Sequence, residues 1–456
     1  MIEVVSIDTP SLGDRSYLTT DGEVAVVVDP QRDLDRVMRL VEERQLRLSH
    51  VLETHVHNDY VTGGFALAQH TGATYVLNAD DDVAFDHHGV TDGDELRTGG
   101  LILRVVHTPG HTPTHLSYAL HDVSGKAIGV FTGGSMLFGS IGRTDLVDAA
   151  MTEMLSRSQF RSVRRLAAIL PDEVEVHPTH GFGSHCAATQ TTRSASTIGA
   201  ERTDNPALVA DDEGTFIRAL LSGLHPYPTY YAHMAPFNRS GPLGFEPVLP
   251  APLNVPAIVA AVRAGSWVLD LRDRRAYGNS HLLGTLNAEL RNDLPTYVGW
   301  LVPFDAAMVL LGDDRDDIAE AQRMLARIGY ERLAGQAAVT ELDWDGHELE
   351  RSLRVARFAD LDDTAADERT VLDVRDEWEW DSGHHPDAFH VPFHQLADRV
   401  GEIPPGRPVW VYCATGARAT LAASVLERAG HQGVLVDDFC LPGDVPGKAA
   451  AAAKAS

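Results

Sequence analysis

The stretch Ser49–Gly64, SHVLETHVHNDYVTGG, decides how the first half of the chain is read. A short apolar run opens into His55-Val56-His57-Asn58-Asp59-Tyr60, and Gly63 and Gly64 then let a helix start close by. On extended backbone, residues two apart share a face, so His55, His57 and Asp59 converge at one strand end. The pair alone carries no weight, because 22 histidines in 456 positions make about one His-x-His pair by chance. Two further stretches supply the weight. One apolar run ends in Thr108-Pro109-Gly110-His111-Thr112, and another in His177-Pro178-Thr179-His180-Gly181. Three strand ends that each deliver a His into a Gly-rich loop are what a metal site at one edge of a sheet sandwich requires.

Outward from these loops, residues 1–245 alternate short Val- and Ile-rich runs (EVAVVVD, LILRVVH, AIGVF, EVEVH) with Gly- and Asp-rich turns, which predicts buried strands. Helical patterns fall at Leu34–Gln45 and Met151–Leu170, so the class is α/β with much sheet. Residues 246–256, EPVLPAPLNVP, carry four prolines and predict a semi-rigid linker. Beyond it the chain repeats itself. SWVLDLRDRRAYGNSHLLGTLNAEL (266–290) and RTVLDVRDEWEWDSGHHPDAFHVPF (369–393) share an apolar strand, Asp-x-Arg and a Gly/His turn. Each is followed by a strand, AMVLLG or PVWVYC, and a helix, Asp316–Ile328 or Arg418–Ala429. This predicts a duplicated α/β domain with parallel strands, over 257–345 and 357–447, and a low-complexity tail over 448–456.

The length fits about three domains. Lys+Arg number 38 and Asp+Glu 65, giving a formal charge of 38 − 65 = −27 spread through the chain. That excludes a general nucleic-acid binder, which needs a basic field. No apolar stretch approaches the roughly 18 residues of a membrane span, and the first twenty residues lack a signal-peptide pattern, so a cytoplasmic protein without a membrane partner is expected. The sequence is compatible with a monomer or a homodimer. Three cysteines, Cys186, Cys413 and Cys440, are too few and too odd for a disulfide framework.

Cys413 ends the run VWVY and is followed by Ala414-Thr415-Gly416-Ala417-Arg418 and an Ala-rich helix. A strand-to-helix turn sets the thiol over backbone N–H groups and the positive end of the helix dipole, which favours the thiolate a nucleophile needs. Small residues such as Gly416 let the backbone close around an atom carried on the sulfur, and Arg418 ends the loop. Cys440 reads as structural. Arg143, in GRTD, is either a clamp for an anionic substrate or the partner of Asp145 or Asp148. Cys186, three residues after Gly183, is a second-rank candidate for a reactive, substrate-contacting thiol.

The motifs THVHND (54–59), TPGHT (108–112), VFTGG (130–134), GRTDL (142–146) and HPTHGFGS (177–184), in this order, resemble the metallo-β-lactamase superfamily and its persulfide dioxygenase and glyoxalase II-like branch. The resemblance implies an αββα sandwich over 1–245, with metal-site residues matching His55, His57, Asp59, His111 and His180. It also covers HPYPTYYAHMAPFNRSG (225–241), near the mouth of the family's active site. Two positions depart from the pattern: Tyr60 stands where the family has His, and Gly134 where it has Asp. The dioxygenases' iron uses two His, matching His55 and His111, and that Asp, so here Asp59 or water would complete the set. A three-His zinc site from His55, His57 and His111 is the alternative. The Cys413 loop resembles rhodanese-type sulfurtransferases, as do Asp373, Arg375 and GHHPDAFHVP (383–392). The first copy, with Asp270 and Arg272 but Gly312-Asp313 at its loop, resembles a catalytically silent rhodanese domain.

Together these resemblances imply a sulfide-detoxifying enzyme. A metal domain, with one Fe(II) favoured over Zn(II), oxidises a small-molecule thiol persulfide, and Cys413 transfers sulfane sulfur to or from thiosulfate. The alternatives are a zinc-dependent thioester or glyoxalase II-like hydrolase, and a sulfurtransferase whose metallo-β-lactamase domain is not catalytic.

Overall fold

The computed structural model describes residues 1–189 and 191–440. The expected tail, 448–456, and the end of the last expected domain, 441–447, lie outside the described residues. Two compact units divide the chain, residues 1–246 with 325–329 and residues 247–324 with those from 330 onward.

The first unit stacks two sheets. Glu3–Thr9, Asp14–Thr20, Val24–Val28, Arg47–Leu52, Thr74–Asn78 and His88–Val90 lie side by side in chain order. The second sheet has the order Glu175–Pro178, Ala127–Gly133, Leu116–His121, Leu101–His107, Glu95–Thr98. Val24–Val28, VAVVV, shows why the central strands are apolar throughout. Val26 and Val28 meet Leu103, Val105, Tyr118 and Phe131 of the other sheet. Ala25 and Val27 face Val37, Val41 and Leu67 of the helices Asp35–Glu43 and Gly64–Thr71. The outer face of the second sheet, with Ala119, Val130 and Val176, packs on Phe160, Val163 and Leu166 of the helix Thr152–Ile169. Strands covered on both faces carry apolar residues at every position, and the layers run helix, sheet, sheet, helix.

The second unit holds two parallel sheets of the same plan. The first has the order Leu286–Asn287, Trp267–Asp270, Met308–Gly312, Leu333–Ala338. The second has Ala388–His390, Thr370–Asp373, Val409–Tyr412, Gly433–Val436, Arg354–Ala356. The shared Asp-x-Arg does the same work in each. Arg272 forks onto Asp270 and reaches the Ser280 carbonyl at 3.0 Å, and Arg375 forks onto Asp373 and reaches the Gly383 carbonyl at 2.8 Å. Each guanidinium ties the strand end to the turn eight residues on.

The expected helices are present with ends shifted by a residue or two: Asp35–Glu43, Thr152–Ile169, Arg315–Arg327 and Ala417–Arg428. The proline-rich stretch ends earlier than its composition suggests. Asn254 caps a helix Val255–Arg263 and accepts from the Ala257 N–H, and Pro256 sits in the first turn, where no N–H donor is needed. Among the described residues no helix is long and apolar enough to cross a membrane.

Candidate metal centre and cysteine loop

Asp29 closes the strand Val24–Val28 with φ of 49°, a left-handed conformation uncommon outside glycine but one that Asp tolerates better than most residues. It accepts hydrogen bonds from the Thr54 N–H and hydroxyl, both at 2.7 Å, and from the Thr179 hydroxyl. It also faces His57 Nε2 at 3.3 Å. One buried carboxylate therefore joins the His55 and His180 loops. Burial alone would raise its pKa, but His57, the Thr179 hydroxyl and the Thr54 N–H hold it at about 2. Asp29→Ala is expected to cost about 3–5 kcal/mol, the range for removing one partner of a buried charge pair, seen as a lower urea midpoint.

Around this hub four imidazoles each have one nitrogen tied outward. His55 Nδ1 meets Thr54 Oγ1 at 2.9 Å; that hydroxyl donates to Asp29, so it accepts from His55. His57 Nε2 lies 3.1 Å from Glu53 and 2.9 Å from the Tyr60 hydroxyl. His111 Nδ1 donates to the Arg143 carbonyl at 2.7 Å, and His180 Nδ1 to Asp14 at 2.9 Å. The opposite nitrogens are left for something else. Among the described residues His57 Nδ1 and His111 Nε2 are buried without a partner, and His55 Nε2 and His180 Nε2 face each other at 3.5 Å. Metal-binding histidines have this arrangement, one N–H fixed by a carbonyl, hydroxyl or carboxylate and the other nitrogen presented. Donor atoms of His55, His57 and His180 lie within 4.8 Å of one another, as do those of His111, His180 and Cys186. Burial and the neighbouring imidazoles push the His55 pKa well down, and burial with His180 takes His111 down to about 3, so both are neutral as ligands must be. The residues fit a metal ion.

Asp59 sits beside this set. One of its oxygens lies 3.1 Å from His180 Nδ1, and the other, Oδ1, is buried without a partner among the described residues. Gly134, where the resemblance leads one to expect Asp, is packed against the ring of His111; a Cβ there would fall 2.2 Å from His111 Cδ2. The imidazole fills the room an aspartate would take. Gly134→Asp is therefore expected to lower the stability of the metal-free protein by about 2 kcal/mol through overpacking, measured as a lower unfolding midpoint.

His115 escaped the sequence reading, although it follows His111 by four residues in TPGHTPTH. Both its nitrogens are engaged, Nδ1 with the Thr108 hydroxyl at 2.9 Å and Nε2 accepting from the Gly134 N–H at 3.0 Å. It braces the loop instead of presenting a donor. Asp14, Asp29 and Glu53 escaped too; VVVDP, an Asp closing a wholly apolar strand, was the available signal for one of them.

Arg143 is buried and fully engaged. It forks onto Asp145 with two bonds of 2.7 Å, donates to the His185 carbonyl and lies over the Tyr227 ring, which is the second of its two sequence readings. Cys186 is buried beside His111 and His180; burial, with Asp59 and Asp14, pushes its thiol well up.

In the second unit, Cys413 ends the strand Val409–Tyr412, and Gly416 caps the helix Ala417–Arg428. Gly416 has φ of 91°, and its N–H donates to Cys413 Sγ at 3.2 Å. Arg418 forks onto Glu379 at 2.6 and 2.9 Å, which fastens the loop to the helix Glu377–Asp381. Cys440 is buried, its N–H donating to the Ala414 carbonyl and its sulfur 3.8 Å from Arg375. In the first copy, at the matching strand-to-helix turn, Asp314 accepts from the N–H groups of Asp316 and Asp317 at 2.9 and 3.0 Å. No cysteine stands at this loop.

Residues 358–438 match the rhodanese-like domain, and residues 14–180 the metallo-beta-lactamase superfamily. The chain is 30% identical over 241 residues to the human mitochondrial persulfide dioxygenase ETHE1, covering 52% of this chain and 85% of that protein. It belongs to the metallo-beta-lactamase superfamily. This superfamily chain carries a rhodanese-like domain at its C-terminal end and is also 28% identical over 228 residues to the hydroxyacylglutathione hydrolase GloC of Haemophilus influenzae, with 45% of this chain and 97% of that one covered. The crystal structure of a metallo-beta-lactamase from Staphylococcus aureus subsp. aureus COL superposes with a TM-score of 0.66 at 30% identity, covering 74% of this chain and 98% of that one. These relatives place the chain among enzymes, with sulfur metabolism supported by both ends.

Proposed function

We propose that the chain oxidises a low-molecular-weight thiol persulfide in its first domain and moves sulfane sulfur through Cys413 in its last. One observation carries this reading over the hydrolase. A domain similar to persulfide dioxygenases shares a chain with a rhodanese-type loop that keeps its cysteine, and thioester hydrolysis has no use for a sulfane acceptor. The overall oxidation balances as RSSH + O₂ + H₂O giving RSH, SO₃²⁻ and two protons. His55, His111 and Asp59 would hold Fe(II), with His57 and His180 completing the pocket, and the iron when bound supplies activation of O₂. The protein's part is to keep His55 and His111 neutral and oriented through Thr54, Asp29 and the Arg143 carbonyl. Cys413 thiolate attacks the outer sulfur of thiosulfate, releases sulfite and becomes a persulfide; the reverse step joins sulfite from the first domain to a Cys413 persulfide. Residues 257–345 serve as a silent copy and 357–447 as the transferase.

A zinc hydrolase is the second reading, favoured by the His55, His57 and His180 group, which contains no carboxylate. Metal analysis of the purified chain, paired with assays on a persulfide and on a glutathione thioester, separates the two. About one iron per chain with persulfide turnover supports the proposal; zinc with thioester cleavage alone overturns it.

A further inference from the structure

A buried thiol ordinarily packs as a small apolar group, and Cys186 does not. It is 0% exposed, and its sulfur forms one group with donor nitrogens of His111 and His180, all within 4.8 Å of one another. Main-chain pairing puts it there. The Arg143 N–H donates to the Cys186 carbonyl at 2.8 Å and the Ala188 N–H to the Ile141 carbonyl at 2.9 Å, with Gly142 opposite Ala187 in an antiparallel bridge. The Arg143 carbonyl in turn accepts from His111 Nδ1 at 2.7 Å, so one residue sets both the imidazole and the thiol. The Cys186 N–H is also fixed, on Ser184 Oγ at 3.2 Å. With Nδ1 committed, His111 offers Nε2, which is buried and has no hydrogen-bond partner among the described residues, the Cys186 sulfur included. A buried polar nitrogen is costly to leave unmatched. Gly134 leaves the same imidazole short of a negative donor, because the His111 ring fills the room that the Asp implied by the resemblance would take.

We infer that Cys186 is a metal ligand, its thiolate joining His111 and His180 on the ion of the first domain and supplying the negative donor that Gly134 cannot. This rests on the metal centre proposed above and adds one ligand to it. The S–H bond breaks as the sulfur–metal bond forms, the proton leaves to solvent, and no electron changes hands. A soft thiolate beside imidazoles suits zinc and iron over magnesium, calcium and manganese.

Cobalt(II) is the probe, because a thiolate ligand gives it an intense near-ultraviolet charge-transfer band that imidazole and carboxylate ligands do not. It is titrated without oxygen into the metal-free full chain and into Cys413→Ser/Cys440→Ser, where Cys186 is the one cysteine left. In both, the band is expected to grow with added cobalt and to level off at about one ion per chain. Cys186→Ser, which exchanges sulfur for oxygen at nearly the same volume, should lose the band. It should still take up cobalt through its histidines, seen in the visible ligand-field bands and by elemental analysis, with an affinity at least about tenfold lower. Cobalt held by Cys413→Ser/Cys440→Ser without the band, or a band that survives in Cys186→Ser, overturns the inference and leaves the histidine centre standing; the first of these outcomes does not depend on how Cys186→Ser folds. A parent chain that binds no cobalt overturns the metal centre and the inference together.

Discussion

Cys413→Ser abolishes thiosulfate–cyanide sulfur transfer, with an expected loss on the order of 10³-fold or more, as removal of a covalent nucleophile produces. The fold gives the reason. Cys413 is the residue at which a parallel strand stops and a helix begins, and the Gly416 N–H already points at its sulfur. A hydroxyl in the same place keeps the packing but neither attacks sulfane sulfur nor carries it as a persulfide. Cys440→Ser serves as the comparison: that thiol abuts Arg375, while the residue's backbone N–H donates to the Ala414 carbonyl, so transfer should stay within a few-fold of the parent. Transfer retained in Cys413→Ser would remove the assigned nucleophile.

His111→Ala is expected to empty the first domain of metal. Its Nε2 is one of the two imidazole nitrogens in the cluster buried without a partner, and its Nδ1 is fixed on the Arg143 carbonyl. Loss of an outer partner alone costs 10–100-fold in metal affinity, so loss of the donor itself should exceed about 10²-fold. Measured by elemental analysis after dialysis, metal content should fall from about one per chain to below about 0.1. His115→Gln should hold its metal, because both His115 nitrogens are already engaged within the protein. Equal loss in both variants would contradict the assignment of donors.

The layered α/β fold and the three histidine loops were legible because each combines a short apolar run with Gly and His at fixed spacing. The duplication was legible because Asp-x-Arg repeats a whole ion-pair geometry, as Asp270–Arg272 and Asp373–Arg375 show. What escaped acts through three-dimensional convergence. Asp29 is marked in sequence only by closing an apolar strand and Asp14 looks like a turn acid, and their meeting with His57 and His180 comes from the packing of separate strands. Arg143 admitted two readings because its partner is chosen by burial and rotamer, and Asp145 two residues on takes the guanidinium. Gly134 was visible as a departure, but only the ring of His111 lying where its Cβ would be explains why no side chain stands there.

The proposed chemistry is tested most directly by oxygen consumption and sulfite formation when a thiol persulfide is added to the iron-loaded full chain. Fe-dependent uptake of one O₂ per sulfite, lost in His111→Ala and kept in Cys413→Ser, is the predicted result. No oxygen uptake from an iron-replete protein, with thioester cleavage supported by zinc, would contradict it.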